Sequence, residues 1–249
     1  MSRPFVSIIV ATYNRRPFVK HVLHMFKNQK YPQDRMELII IDDGKDDISD
    51  MFKKRVKNIR YYRLEKKIIL SDKRNLLNKK AKGDIIISWD DDDYYSPDYV
   101  KLVVTRLTSH PNVLLAGKTC IDTYFVNTGE IYRVGPFHQN HCTNTTLCYK
   151  RKYLELGHHY EHGKDHAEEK FFLDGYKNTM IQLTNENLHI ALSHDLNTFN
   201  RERQKETNKS YKKTSLKLKD IIKDKKSLEF FKNSKNIIKN YQSYLSKLL

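Results

Sequence analysis

The chain has 249 residues, enough to bury one substantial core, and no Pro/Gly/Ser-rich linker divides it. Its composition, 39% hydrophobic and 31% charged, is that of a globular protein, and no apolar run approaches the roughly 18 residues of a membrane-spanning helix. The net charge is +16, but residues 201–249 hold 15 Lys/Arg against 5 Asp/Glu and carry most of it. The remainder is only mildly basic, which argues against a nucleic-acid partner. Because the N-terminal apolar run is too short for a signal peptide, we expect a cytoplasmic protein.

Strand and helix patterns alternate about four times in the first half of the chain. A near-continuous apolar, β-branched run predicts a strand that is covered on both faces, as in a parallel sheet, whereas 3.6-residue periodicity predicts a helix. The predicted strands are residues 5–11, 37–41, 59–64 and 84–89, and the predicted helices are residues 17–28 and 97–109. This alternation predicts an α/β fold with a mostly parallel sheet flanked by helices.

The second half has a mixed pattern. Short strands are predicted within residues 113–124, 130–135, 145–149, 179–183 and 188–192, and a helix at residues 165–176. From residue 201 onward, apolar side chains recur at helical spacing among many lysines, which predicts a basic helical hairpin or a pair of helices. Such helices can cover an apolar surface of their own chain, mediate self-association, or dock on a membrane surface.

Four consecutive aspartates, Asp90 to Asp93, follow the predicted strand at residues 84–89. Adjacent carboxylates repel one another unless a cation, a hydrogen-bond donor or solvent compensates them. Mg²⁺ or Mn²⁺ bound by one or two carboxylates keeps open positions for diphosphate oxygens. In a doubly wound sheet, ligands bind at the carboxyl ends of the strands, which is where this cluster falls. An acidic, solvent-exposed turn is the alternative.

With these motifs, the chain resembles a family 2 glycosyltransferase of the GT-A fold. The matching stretches are VSIIVATYNR (6–15), ELIIIDDG (37–44), DKRNLL (72–77), KGDIIISWDDDDYYSPDYV (82–100) and, more loosely, AEEKFF (167–172). Their order and spacing are specific in combination. The resemblance implies a GT-A domain at residues 1–200 and a Lys-rich helical extension at 201–249. Within the domain, residues 1–110 would form the nucleotide-sugar-binding half and residues 111–200 the acceptor half.

The resemblance also implies roles for individual residues on the nucleotide side. Ala11, Thr12 and Tyr13 would lie beside the base and ribose, Asp43 would bond the base edge, and Arg74 would contact the nucleotide. A UDP-sugar is the sugar donor that the resemblance implies.

For the metal, Mn²⁺ or Mg²⁺, the resemblance implies Asp92 as the main ligand, with Asp90 or Asp91 reaching ribose or metal. His194 follows an apolar strand and is a candidate additional ligand, because several GT-A enzymes use a C-terminal histidine in this way. A structural role is the alternative for a single histidine beside a strand.

The base that accepts the proton of the acceptor hydroxyl is expected in AEEKFF. Glu168 precedes Phe171 by the spacing that the family uses, and Glu169 is the alternate. Both could instead complement the positive end of a helix. Further histidines cluster nearby without the HExxH pattern of a zinc hydrolase, so we expect them to line the acceptor cleft or its loop. They are His138, His141, His158, His159, His162 and His166.

The expected activity is an inverting transfer from a nucleotide-sugar to a hydroxyl of a glycan or protein acceptor. A nucleotidyltransferase is the rival with the same sheet, but it needs a Gly-rich loop after the first strand, and residues 10–17 contain no glycine. A catalytically inactive GT-A-like binding protein is the rival from another class.

Overall fold

The structure is a computed structural model, and it describes residues 3–52, 57–165, 167–183, 188–199 and 201–248. The chain folds into two sheets with helices packed against them. The strands are β1 (Val6–Thr12), β2 (Met36–Asp42), β3 (Ile59–Arg63), β4 (Ile85–Trp89), β5 (Tyr94–Tyr95), β6 (Leu115–Gly117), β7 (Ile121–Phe125), β8 (Glu130–Val134), β9 (Cys148–Lys150), β10 (Met180–Gln182), β11 (His189–Ser193) and β12 (Tyr211–Lys213). The α-helices are α1 (Arg16–Lys27), α2 (Leu70–Lys80), α3 (Tyr99–Ser109), α4 (Arg151–Glu155), α5 (Glu169–Phe172), α6 (Arg201–Thr207), α7 (Leu218–Ile221) and α8 (Lys225–Leu248).

The larger sheet has the strand order β10-β6-β9-β4-β1-β2-β3. The four strands β4, β1, β2 and β3 run parallel to one another, whereas β9 is antiparallel to β4 and β6. Alternate residues of β1 enter two different cores, with Ile8 on one face of the sheet and Ile9 on the other. Because both faces are covered, these strands need the near-continuous apolar runs seen in the sequence. The predicted α/β fold with a mostly parallel sheet is confirmed.

Helix α1 returns the chain from the end of β1 along one face of this sheet. Pro17 lies in its first turn, where a missing N–H costs nothing, and its buried side chains include Phe18, Val22 and Phe26. These three side chains lie in the same core as Ile8. The crossover leaves the residues after β1 at the carboxyl edge of the sheet.

The smaller sheet has the strand order β12-β8-β7-β11-β5, and it is built from the second half of the chain. The predicted helix at residues 165–176 is wrong in extent, because only α5 and a short 3₁₀ turn at Asp174–Tyr176 are helical. Positive φ angles at Ala167 (51°) and Asp174 (50°) break the right-handed helical path on both sides of α5.

The Lys-rich tail packs into the fold. Strand β12 extends the smaller sheet by pairing with β8, and α8 packs against α1. On α8, Phe231, Ile238 and Tyr241 are buried, so the tail covers an apolar surface of its own chain. The sequence predicted helices here but missed β12, since a three-residue strand is too short for a recognisable alternation. Within the described part of the chain, no helix combines the length and hydropathy that crossing a membrane requires.

Candidate active site

A cavity of about 830 Å³ opens at the carboxyl ends of β1 and β4. Both sheets contribute to its wall, as does the tail through residues of α6 and α8. Most of the residues that were predicted for the site line it together: Ala11, Thr12, Tyr13, Arg74, Asp90, Asp91, Asp92, Glu168 and Glu169. Asp43 and His194 are buried behind this wall, where they contact Lys73 and Asp92 respectively.

The acidic cluster at the end of β4 brings ligand atoms of three carboxylates close together. In the described residues, Asp90, Asp92 and Asp93 offer oxygen atoms that all lie within 4.8 Å of one another. Oxygen ligands of this kind suit a hard divalent cation such as Mg²⁺ or Mn²⁺. The side chain of Asp90 is 30% exposed, whereas that of Asp92 is 6% exposed. The cluster is therefore a compact, mostly dry site with one open side.

Burial and mutual repulsion raise the pKa of three of the four carboxyl groups. Burial first, and then the neighbouring Asp93, raise the pKa of Asp90 to about 6. Burial raises the pKa of Asp91 to about 8 against the opposing charge of Arg15. Burial also raises the pKa of Asp93 to about 6. A cation in the cluster would remove this penalty, so the residues present fit a divalent ion.

Asp92 differs from its neighbours because it is held in the ionised form. Burial acts to raise its pKa, but the hydrogen bond from His194 and the nearby arginines outweigh burial and lower it. The Oδ2 atom of Asp92 accepts hydrogen bonds from His194 Nε2 and Asn197 Nδ2, each at 2.9 Å. Since both of these bonds use Oδ2, they leave Oδ1 available to a ligand.

The contacts of His194 assign its tautomer. The N–H of Leu196 donates to Nδ1 at 3.1 Å, so the ring proton lies on Nε2, which donates to Asp92. A metal ligand must present an unprotonated nitrogen. In this arrangement His194 orients Asp92 instead of offering a free nitrogen, and its ring stacks on Phe18 at 5.1 Å. Direct ligation by His194 remains a prediction that would require these bonds to change.

Asp93 was not assigned a role, and the structure gives it a supporting one. Its Oδ2 accepts from Thr145 Oγ1 at 2.5 Å and contacts His189 Nε2 at 3.1 Å, while its Oδ1 accepts from the N–H of Leu192 at 2.9 Å. The side chain is fully buried. Asp93 therefore ties the end of β4 to β11 of the smaller sheet, which joins the two halves of the site.

The loop after β1 contacts the acidic cluster directly. Thr12 Oγ1 donates to Asp91 Oδ2 at 2.5 Å, and Arg15 Nε lies 3.4 Å from Asp91 Oδ1 and 3.9 Å from Asp92 Oδ2. Arg15 also donates to the carbonyl oxygen of Leu196. Arg15 thus compensates the aspartates and fixes the segment that carries His194. It ends the stretch VSIIVATYNR, so the sequence did contain the signal, but its charge partners lie far along the chain.

Both carboxylate oxygens of Asp43 accept hydrogen bonds from other residues of the first 110 positions. Its Oδ2 accepts from the N–H of Ile68 at 2.9 Å, and its Oδ1 accepts from Lys73 Nζ. Lys73 lines the cavity, and Lys67 Nζ lies 4.7 Å from the centre of the Tyr13 ring. The prediction that Asp43 bonds a base edge stays a prediction, since both of its oxygens already accept hydrogen bonds.

The two glutamates of AEEKFF line the same cavity and share one partner. Asn144 Nδ2 donates to Glu168 Oε1 at 2.9 Å and to Glu169 Oε2 at 3.3 Å. Arg74 Nε also donates to Glu168 Oε1 at 3.0 Å, and Arg74 lies 3.7 Å from Asp90. Burial, followed by the charge of Glu168, raises the pKa of Glu169. The sequence did not predict a role for Asn144.

The clustered histidines separate into different places. His141 lines the main cavity, whereas His158, His159 and His162 line a second cavity of about 460 Å³. His166 lies outside the described residues. The expectation that they line the acceptor cleft or its loop stays a prediction.

The model of one protein family, described as glycosyl transferase family 2, matches residues 7–165, which is more than half of the chain. The chain belongs to glycosyl transferase family 2. The family match runs from Ser7 in β1 through β4 and the acidic cluster, and it includes Asn144. It ends three residues before Glu168.

Relatives of known sequence and structure agree with this family. The putative glycosyltransferase EpsH of Bacillus subtilis is 32% identical over 102 residues, which cover 40% of this chain and 29% of EpsH. A crystal structure of Staphylococcus aureus TarS in complex with UDP-GlcNAc superposes with a TM-score of 0.62 at 19% identity, and covers 77% of this chain and 59% of that chain. The mannosyltransferase PcManGT from Pyrobaculum calidifontis, in complex with GDP-Man and Mn²⁺, superposes with a TM-score of 0.56 at 17% identity over 73% of this chain. These structures confirm the GT-A fold, while the chain spans less than two thirds of their length.

Proposed function

We propose that this chain is a metal-dependent, inverting glycosyltransferase that moves a sugar from a nucleotide-sugar to a hydroxyl group of a glycan or protein acceptor. The observation that carries the proposal is that two acidic groups line one cavity. They are Asp90 and Asp92 of the acidic cluster, and Glu168 with Glu169. The cavity volume of about 830 Å³ is within the range of about 300–1,000 Å³ that is typical of ligand pockets.

These two acidic groups would meet the two chemical needs of a single displacement. Negative charge develops on the leaving diphosphate as the glycosidic bond breaks, and the attacking hydroxyl must lose a proton. A divalent ion bound by Asp92, with Asp90, would supply electrostatic stabilisation of the diphosphate. His194 and Asn197 hold Asp92 in place, and Arg15 compensates its charge.

Their contacts support a choice between the two candidate bases. Glu168 is 5% exposed, and its Oε1 accepts hydrogen bonds from Arg74 and Asn144, so its negative charge is compensated by the buried Arg74. Glu169 lies at the cavity, has one longer bond from Asn144, and has a raised pKa. A raised pKa makes a carboxylate a stronger base near neutral pH. We therefore favour Glu169 as the base, with Glu168 as the residue that positions Arg74 and Asn144.

A UDP-sugar is the sugar donor that we propose. The support is the resemblance to structures that bind such compounds, since TarS was solved with UDP-GlcNAc and with UDP. The Mn²⁺ in the PcManGT complex supports the proposed metal in the same indirect way, although that enzyme was solved with GDP-Man. We also propose a cytoplasmic location, because nucleotide-sugars are soluble substrates.

The test is a screen of nucleotide-sugars with and without Mn²⁺, which records thermal stabilisation and slow hydrolysis of the sugar donor. We expect one donor to stabilise the protein selectively and only with the metal. The Asp92→Asn variant should lose both responses, because the main ligand becomes neutral. Asp98→Asn is the matched control, since Asp98 forms an exposed pair with Lys30. Normal metal-dependent hydrolysis in Asp92→Asn would contradict the metal assignment. No response to any nucleotide-sugar would favour the inactive binding protein.

A further inference from the structure

Two phenylalanine side chains at the main cavity are exposed. Phe137 and Phe199 both line this cavity, and each is 49% exposed. A single exposed apolar side chain on a protein surface needs no explanation, but aromatic side chains in a concave pocket are typical of ligand sites. The residues proposed for the nucleotide and the metal do not include these two rings, so that assignment leaves them without a role.

The loop that carries Phe137 is held in place by side chains of neighbouring segments. The N–H groups of Phe137 and His138 both donate to Thr119 Oγ1, at 3.0 and 3.2 Å. Gln182 Nε2 donates to the carbonyl oxygen of His141 at 2.9 Å. An exposed ring on a fixed loop loses little conformational freedom when a ligand covers it, so Phe137 is preorganised for a contact of this kind.

A row of aromatic rings leads from Phe137 towards the candidate base. The ring centre of His141 lies 4.9 Å from that of Phe137 and 5.1 Å from that of Tyr176. Burial first, and then the charge of Glu169, raise the pKa of Tyr176 to about 12, so Tyr176 lies within the electrostatic reach of Glu169. Phe137, His141 and Glu169 all line the main cavity. The part of the cavity near Phe137 is therefore the part in which the acceptor hydroxyl would lose its proton.

The polar groups beside Phe137 suit a neutral ligand that carries hydroxyl groups. Burial first, and then the charge of His138, lower the pKa of His141, so the His141 ring is neutral near pH 7. Among the described residues, His141 Nδ1 and Thr143 Oγ1 are buried and have no hydrogen-bond partner, and both residues line the cavity. Buried polar groups normally have a partner, which ligand hydroxyls or water can supply here.

We propose that Phe137 is the platform on which a sugar ring of a glycan acceptor stacks. A pyranose ring has a face of C–H groups and a rim of hydroxyls. The C–H face packs on the electron-rich face of an aromatic ring, and covering both apolar surfaces is favourable. An alkyl chain would also cover Phe137, but it offers no hydrogen bond to His141 or Thr143. The proposal rests on the proposed glycosyltransferase function, because it names the acceptor class of the same cavity.

The test is saturation-transfer NMR of the full chain with the methyl β-glycosides of glucose, galactose and N-acetylglucosamine, in the presence and absence of UDP and Mg²⁺. We expect at least one glycoside to receive saturation from the protein, most strongly at the C–H protons of one ring face. Sorbitol carries similar hydroxyl groups but has no ring face, so it should receive little. No transfer to any glycoside, or equal transfer to sorbitol, would overturn the proposal.

Substitutions of Phe137 separate the flat ring from apolar volume. Phe137→Ala and Phe137→Leu should each weaken glycoside binding about tenfold, whereas Phe137→Tyr should preserve it. The loop is held through backbone atoms, so it should remain in place, and thermal melting checks that each variant is folded. If Phe137→Leu bound the glycosides as well as the unaltered chain, the site would recognise apolar volume instead of a ring face, and the proposal would be wrong. Stronger transfer to hexanol than to any glycoside would overturn it for the same reason.

Tyr244→Ala is the matched control, since Tyr244 is an aromatic side chain of similar exposure (45%) that lies outside the cavity wall formed by the described residues. It should bind the glycosides as the unaltered chain does, and equal losses in Tyr244→Ala and Phe137→Ala would overturn the proposal.

Failure of this acceptor site can be distinguished from failure of the proposed function. Hydrolysis of a nucleotide-sugar by the unaltered chain, together with glycoside binding that does not depend on Phe137, would remove the acceptor site and leave the proposed function. If no nucleotide-sugar gave a response, the proposed function would fail, and the NMR experiment without UDP would still test Phe137.

Discussion

Replacement of Arg74 by methionine separates two roles that this residue could have. Arg74 and Glu168 form an ion pair at 3.0 Å in which both side chains are only 6% exposed. Arg74 also donates to Ser88 Oγ at 3.1 Å. Removing one partner of a buried pair leaves an uncompensated charge, which typically costs about 3–5 kcal/mol. In a chain of this size that loss lowers Tm by about 6–20 °C.

Urea unfolding and thermal melting of Arg74→Met measure this loss in the absence of any nucleotide. Adding Glu168→Gln removes the stranded charge, so the double variant should be less destabilised than the sum of the single variants. Lys30→Met, which breaks an exposed pair with Asp98, is the control and should cost about 0–1 kcal/mol. If Arg74→Met cost no more than this control, Arg74 would not be a structural partner of Glu168. A loss of nucleotide binding alone would then support the nucleotide contact that the sequence predicts.

Three further outcomes are expected. His194→Ala should weaken Mn²⁺ binding about 10–100-fold in a thermal titration, because Asp92 loses an orienting hydrogen bond. Complete loss of Mn²⁺ binding would instead indicate that His194 is a direct ligand. The rate of sugar transfer should rise with pH through a value above 4.5, the ordinary pKa of a glutamate, because burial raises the pKa of Glu169 and the carboxylate must be ionised to act as a base. Glu169→Gln should remove this pH dependence. If the variant kept the same pH dependence, the base would be another residue. Phe231→Ala should lower the free energy of unfolding by about 3–5 kcal/mol, since this side chain is fully buried between α8 and the core. The control for Phe231→Ala is Tyr244→Ala on the exposed flank of α8, which should change the free energy of unfolding by less than about 0.5 kcal/mol. Equal effects of the two substitutions would show that α8 does not belong to the core.

Local patterns of the sequence determined the fold and one wall of the site. β1, β2 and β4 can be recognised as strands from their apolar runs, because a strand buried on both faces needs apolar residues at nearly every position. The polar residues that follow such runs, such as Thr12 and Asp92, must fall at the carboxyl edge of the sheet. For this reason the acidic cluster could be placed in the ligand cleft without knowledge of any long-range contact.

The tertiary structure decided which side chains contact one another in that cleft. Arg74 and Glu168 are 94 positions apart, and Asp92 and His194 are 102 positions apart, so no local period relates them. Asn144, which donates hydrogen bonds to both glutamates, stands in a short 3₁₀ turn, and no pattern in the sequence predicted these contacts. The tautomer of His194 likewise depends on the N–H of Leu196, a contact made by the loop after β11. The sequence by itself determined which residues reach the edge of the sheet, because secondary structure is periodic along the chain. Only the folded chain decided their hydrogen-bond partners, because those depend on distances of a few ångströms between remote segments.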